Sequence, residues 1–337
     1  MTPATSREDA LTDRNLPLLG PALSEFQAIL NSIPPWSGRV PSNYLVDGLG
    51  IITPAAFQPD FKDQCLAERD AYARLPSIVA NDGWFEIVDW LVSAREATGE
   101  YVAVSLGAAY GRQLVGAWKA LQLVNPLPAL LVGVEAEPEY CRWIEQHMRD
   151  NGIAPDDHVI IQAAVGPNNQ VVLFPVGTPG GAPANCVSTN SPQSRSVYAQ
   201  ELSRPELAGD VVRNLLLRNS TGLAQDLGGG TIAEVKFVSA VTLGDIVGPL
   251  RHVDLLEVDI QQSEAEAIPP YLNLLTRKVR RVHIGTHGAE IHAQLRALFL
   301  SAGWNLVFDY APDTHHQTEL GSFTTTDGIL TARNPAV

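Results

Sequence analysis

Between residues 101 and 310, short aliphatic runs alternate with stretches of helical periodicity, and this alternation constrains the fold more than anything else in the chain. Tyr101–Leu106, Ala129–Val134, Val159–Ala163, Val171–Phe174, Val253–Val258, Val279–Ile284 and Trp304–Tyr310 read as strands. Arg112–Leu123, Pro138–Arg149 and Ala289–Ala302 read as helices between them, and a further helix from Ser263 is broken by Pro269-Pro270. A run that is apolar on both faces belongs to a sheet covered on both sides, and parallel neighbours need a crossover long enough for a helix. The spacing therefore predicts an α/β fold, a mostly parallel sheet with helices on both faces. Local signals agree. Asn81-Asp82 can cap a helix carrying Phe85, Val88, Leu91 and Val92, with Gly99 at its end, and Pro138 and Asn151-Gly152 bracket another.

Three segments stand outside this pattern. Residues 1–80 are rich in proline and turn residues, with helices expected at Leu23–Leu30 and Lys62–Leu75, and read as an N-terminal helical cap on a body spanning 81–337. From Pro175 to Gly230 the chain is rich in glycine, proline and serine, with a helix expected near Leu207–Arg218. An excursion of that length inside a compact domain reads as a lid over residues 175–230. At the C-terminus, Ser322–Thr326, Asp327-Gly328 and Ile329–Ala332 read as a hairpin with a tight turn.

Charge narrows the partners. With 23 Lys and Arg against 37 Asp and Glu the net charge is −14, which argues against nucleic acid and anionic membrane. The one dense basic run, Arg277, Lys278, Arg280 and Arg281, reads as a solvated strand edge. Cys65, Cys141 and Cys186 follow no metal or redox spacing, as expected of a reduced, cytoplasmic chain. The first 15 residues lack the apolar core of a signal peptide, and no stretch approaches the roughly 18 apolar residues of a membrane span. A homo-oligomer is compatible with all of this.

Two motifs carry chemistry. Val104-Ser105-Leu106-Gly107-Ala108-Ala109-Tyr110-Gly111 joins a strand to a helix. Glycines at 107 and 111 permit a sharp turn and close approach of a ligand to the helix N-terminus. Such a loop serves a nucleotide cofactor or only a tight turn. Val134-Glu135-Ala136-Glu137-Pro138 ends the next strand, where an acid can accept hydrogen bonds from both ribose hydroxyls. Glu135 is placed for this, Glu137 competes, and either could instead favour the following helix. Ala109 stands where a dinucleotide loop needs a glycine against the pyrophosphate, which disfavours an NAD-linked oxidoreductase.

Gly107-Ala108-x-x-Gly111, Glu135-Ala136-Glu137-Pro138, Ala163-Ala164-Val165-Gly166 and Val253-Asp254-Leu255-Leu256-Glu257-Val258-Asp259 follow the order seen in FkbM-type methyltransferases. The last resembles that family's DLLKIDVEGAE signature, with Glu264 matching its final acid; the resemblance covers residues 100–310. It implies a seven-stranded, Rossmann-like class I methyltransferase fold, S-adenosylmethionine as cofactor, and O-methylation of a sugar or natural-product hydroxyl. It also implies cofactor contacts from Ser105, Gly107, Ala108, Gly111, Glu135, Ala136, Gln162, Ala163 and Asp259. The chain departs from the pattern where Ser105 replaces an acid expected to hold the cofactor's amino group, where Glu257 replaces lysine, and where Gln261-Gln262 replace Glu-Gly. A methyltransferase-like scaffold that binds without turnover is the non-enzyme alternative.

Asp259 and His287 each follow a strand at its carboxyl end, where open α/β sheets bind ligands. His287 is the candidate general base, with Asp259 to orient it, to stabilise the sulfonium, or to join it in a divalent-metal site; the metal is not expected to be obligatory. In the plainer reading Asp259 caps the helix near Ser263, His287 satisfies its turn, and His283 packs within its strand. His315-His316, Tyr110 and Trp84 are further side chains able to reach the site.

Overall fold

The computed structural model describes residues 22–58, 60–61, 63–79, 83–176, 224–226 and 232–337. The Asn81-Asp82 cap, the helix expected near Leu207–Arg218 and nearly all of the 175–230 lid lie outside these residues.

The N-terminal part holds α1 (Leu23–Asn31), β1 (Trp36–Val40), β2 (Tyr44–Val46), β3 (Ile52–Pro54) and β4 (Arg69–Ala73). Only the first of its two expected helices forms. Arg69–Ala73 is a strand paired antiparallel with Trp36–Val40, because its side chains alternate between exposed and half-buried and offer no helical stripe. Among the described residues of this part there are one α-helix and two small strand pairs, so it is not helical throughout.

The body continues with α2 (Gly83–Glu96), β5 (Tyr101–Leu106), α3 (Arg112–Val124), β6 (Ala129–Glu135), α4 (Pro138–Asp150), β7 (Val159–Gln162), β8 (Ala164–Val165) and β9 (Gln170–Val176). After β10 (Ala224–Asp226) and β11 (Ile232–Val241) come α5 (Leu243–Val247), β12 (Val253–Val258), α6 (Glu264–Ala267), α7 (Leu272–Lys278), β13 (Val279–Thr286) and α8 (Ala289–Ser301). β14 (Asn305–Tyr310), β15 (His315–Thr318), β16 (Gly321–Thr324) and β17 (Gly328–Arg333) complete it.

Seven strands form the main sheet in the order β14-β17-β13-β12-β5-β6-β7. The pairs from β7 to β13 are parallel, and β17 runs antiparallel to both neighbours. This is the class I methyltransferase fold. Every residue of β5 and β12 is buried, as a strand covered on both faces requires. Ala103, Leu131 and Leu255 pack with α2 and α3, while Val102, Val104, Val132, Leu256 and Val258 pack with α5, α7 and α8. Strand order reverses between β5 and β12, so their carboxyl ends frame the crevice where such sheets bind ligands.

Two expected strands pair differently. β9 leaves the main sheet and runs antiparallel to β11, a strand the sequence reading missed, in a separate four-stranded sheet. The Asp327-Gly328 hairpin does not form. β16 pairs with β15, while β17 enters the main sheet between β13 and β14, where it covers apolar edges that a free hairpin would expose. The basic run also turns inward. Arg281 is buried against Asp89, Arg280 pairs with Asp254, and the Lys278 ammonium donates to the Gly248 and Leu250 carbonyls. Among the described residues no helix is long and apolar enough to cross a membrane.

Candidate active site

The glycine loop is built from backbone. The Gly107 and Ala108 amides both donate to the Val134 carbonyl of β6, at 2.9 and 3.1 Å, and the Asp259 amide donates to the Leu106 carbonyl at 2.9 Å. The loop is thus laced to the ends of both flanking strands. Gly107 has φ +72°, and a Cβ there would stand 1.8 Å from the Asp259 carbonyl oxygen, so only glycine fits. Gly111 has φ +81° and lies against Ile144 of α4. Ala109 takes a positive φ of 45° without being glycine, and its amide is spent on Glu135 Oε2 at 2.8 Å.

Glu135 ends β6 with its carboxylate turned into this turn. Its second oxygen, Oε1, accepts from the Glu137 amide at 2.8 Å. Burial pushes its pKa up to about 7, with the amides of Glu137, Ala109 and Ala136 pulling the other way. Each oxygen keeps a lone pair after one such bond, so ribose hydroxyls can still be accepted. Glu137 is the N-cap of α4, and its Oε1 accepts from the Glu139 amide at 3.1 Å. Gln162 lies opposite Glu135 at the end of β7, and the Ala163 amide donates to the Glu135 carbonyl at 2.9 Å. The structure therefore gathers the loop, Glu135, Ala136, Gln162 and Ala163 along one rim.

Asp259 and His287 meet on the other side of the loop. Their closest atoms, Asp259 Oδ1 and His287 Nε2, are 3.4 Å apart. The stronger partner of the imidazole is Glu264, whose Oε1 lies 2.9 Å from Nδ1 and also accepts the Ile260 amide. With Nδ1–H donating to Glu264, Nε2 is the basic nitrogen; it is buried and has no hydrogen-bond partner among the described residues. Asp327 stands 3.9 Å from the same nitrogen. Burial alone would lower the His287 pKa, but Glu264, Asp259 and Asp327 together raise it. Asp259 keeps 49% side-chain exposure, yet surrounding protein still raises its pKa against the pull of His287 and of a hydrogen bond from Gln261. Gln261 and Gln262 both hold positive φ, 50° and 76°, so the turn after Asp259 is strained at the site itself.

An open pocket lies beside Asp259, lined by Ser105, Leu106, Gln113, Asp259 and Gly285 among others. His287 is not part of its lining and meets it through Asp259. Trp84 is fully buried in the apolar core and does not reach the site. The Tyr110 hydroxyl is engaged by Gln58, and His316 packs on Tyr310 and Phe323. His283 is buried in its strand, as expected, and bonded to Asp89. Among the described residues no three His, Cys, Asp or Glu side chains are gathered in the geometry of a metal site. From sequence, Glu264 matches a motif and is, with Glu290, a possible further carboxylate for a metal at Asp259, while Asp327 is only a turn residue; that both face His287 emerges only from the fold.

The chain is 23% identical over 292 residues to a protein of Jannaschia sp. (strain CCS1) named "Putative methyltransferase", covering 86% of this chain and 91% of that one. The solved structure of the methyltransferase FkbM from Methylobacillus flagellatus KT aligns with a TM-score of 0.37 and 10% identity, over 75% of this chain and 56% of that chain. Precorrin-6y C5,15-methyltransferase from Geobacter metallireducens GS-15 aligns with a TM-score of 0.38 and 7% identity, over 76% and 89%. At this distance these likenesses say nothing about the reaction. No family model matches the chain.

Proposed function

We propose that this chain is an S-adenosylmethionine-dependent O-methyltransferase acting on a hydroxyl of a small polar metabolite, sugar-like or natural-product-like, in the manner of FkbM-type enzymes. One observation carries the reading: at the point where strand order reverses, the Gly107 loop closes against the Asp259 backbone with Glu135 on one side and His287 on the other. The residues fit the cofactor. Glu135 would hold the ribose, Gln162 and Ala163 would border the base, and Gly107, Ala108 and Gly111 would let the nucleoside approach the backbone. When bound, S-adenosylmethionine supplies an already electrophilic methyl group.

The chain's own task is then to orient an oxygen and take its proton. His287 Nε2 lacks a hydrogen-bond partner among the described residues, and an incoming hydroxyl is the group that would satisfy it. His287 Nε2 would take the hydroxyl proton, and Glu264 would stabilise the resulting imidazolium through Nδ1–H. Asp259, beside Nε2, orients the acceptor. A net charge of −14 suits an uncharged acceptor better than nucleic acid.

The test is transfer of a labelled methyl group from S-adenosylmethionine to a panel of glycosides and polyhydroxylated natural products. Label in an ether linkage is expected. Label found only on nitrogen, carbon or RNA would contradict the O-methylation reading.

A further inference from the structure

Ser105, Glu257, His283 and Thr331 occupy directly opposed positions on β5, β12, β13 and β17, forming a polar row across the sheet. Their side chains lie on the face covered by α2, and three of them, Ser105, Glu257 and His283, line the pocket. The cations nearby are engaged by other acids, although Arg281 Nε has no hydrogen-bond partner among the described residues. Arg281 Nη1 and His283 Nδ1 bond to the two oxygens of Asp89, at 2.8 and 2.7 Å, and Arg112 pairs with Glu86. Burial alone would lower the His283 pKa, but its bond to Asp89 raises it to about 9 and fixes that pairing.

Glu257 is the acid left over. It is 5% exposed; its Oε1 accepts the Trp90 indole N–H at 2.5 Å, and its Oε2 has no hydrogen-bond partner among the described residues. Burial pushes its pKa up to about 8, with His283 pulling the other way. Buried without a partner on Oε2, the carboxyl group keeps its proton more readily, and a cation arriving beside it would favour the charged form. The pocket lining also holds the carboxylates of Asp259 and of Glu86, the latter already paired with Arg112, so Glu257 and Asp259 are the acids open to an incoming cation. Leu106, the residue before the Gly107 turn, lines the same pocket, so a tail extending from a nucleoside seated on Glu135 would reach it.

We propose that Glu257 holds the α-ammonium group of the methionine part of the cofactor, supplying from β12 the carboxylate that Ser105 cannot supply from β5. This rests on the methyl-donor reading above. The ammonium donates three hydrogen bonds: Glu257 Oε2 accepts one, and the Ser105 hydroxyl directly across is a second acceptor.

The test compares two ligands, S-adenosylhomocysteine, which keeps the ammonium but not the sulfonium charge, and 5′-methylthioadenosine, which has neither. Glu257→Gln should weaken S-adenosylhomocysteine binding roughly 10- to 100-fold, the loss of one charged hydrogen bond, and leave 5′-methylthioadenosine unchanged. A second measurement needs no variant: on the wild-type protein, the deaminated analogue of S-adenosylhomocysteine should bind weaker by the same factor. Unchanged affinity in the variant, equal losses for both ligands, or equal binding of the deaminated analogue would each overturn the assignment. A wild-type protein that binds none of the three would instead strike the methyl-donor reading itself.

Discussion

His287→Ala is expected to lower turnover about a hundredfold to ten-thousandfold, with cofactor affinity nearly unchanged. An alcohol is a poor nucleophile while it keeps its proton, and Nε2 of His287 is the basic nitrogen beside Asp259. Only the neutral imidazole can act, so the rate should rise with pH and level off once His287 has lost its proton. Because Glu264, Asp259 and Asp327 outweigh burial and raise this pKa, the rise should be centred above the ordinary histidine value of about 6.5. Glu264→Gln removes the hydrogen-bonded carboxylate, so the same rise should move to lower pH. A residue with only a packing role would lower the rate without moving the curve. In this mechanism EDTA leaves turnover intact. If EDTA abolishes turnover and magnesium restores it, Asp259 is to be reassigned as a metal ligand.

Gly107→Ala should destabilise the protein by about 4 kcal/mol or more, at the exceptional end for one methyl group. The added Cβ would stand 1.8 Å from the Asp259 carbonyl oxygen, a main-chain atom at the end of a central strand, so no side-chain rotation relieves the clash. Relief requires parting β5 from β12 at the point where Asp259 N–H bonds to the Leu106 carbonyl. Gly152→Ala is the control. It shares a positive φ, +78°, but its Cβ would meet nothing within 4 Å, so it should cost only the left-handed penalty of about 1 kcal/mol. Denaturant midpoints separate the two, and equal shifts would show that the close approach at Gly107 is not what demands glycine.

The central sheet was legible because its strands are buried on both faces and leave near-continuous aliphatic runs, as in Tyr101–Leu106 and Val253–Val258. The peripheral strands were not. Arg69–Ala73 is short and half-buried, and its charged residues read as a helical surface until Trp36–Val40 is known to pair with it. In β11, Val235 and Phe237 alternate with Lys236, a period-two signal that the glycine-rich stretch before it obscured. The C-terminal turn misled because Asp327-Gly328 has hairpin chemistry, while the partner of β17 is decided by sheet edges far away in sequence. At the site, residues fixed by local backbone demands, Gly107, Gly111 and Glu135, were readable in order. The partners of His287 were not, because Glu264 and Asp327 reach it from two different segments and only the fold brings them together. The inward turn of Arg281 onto Asp89 is of the same kind: a charged run reads as surface unless a buried acid 192 positions away is known to face it.

Isothermal titration with S-adenosylmethionine, S-adenosylhomocysteine and NAD measures the identity of the cofactor most directly. The Ala109 amide is committed to Glu135, and the position is alanine, so the loop lacks both the donor and the clearance that a pyrophosphate needs. The two adenosyl ligands should therefore bind and NAD should not. Measurable NAD binding with no binding of S-adenosylhomocysteine would contradict the account.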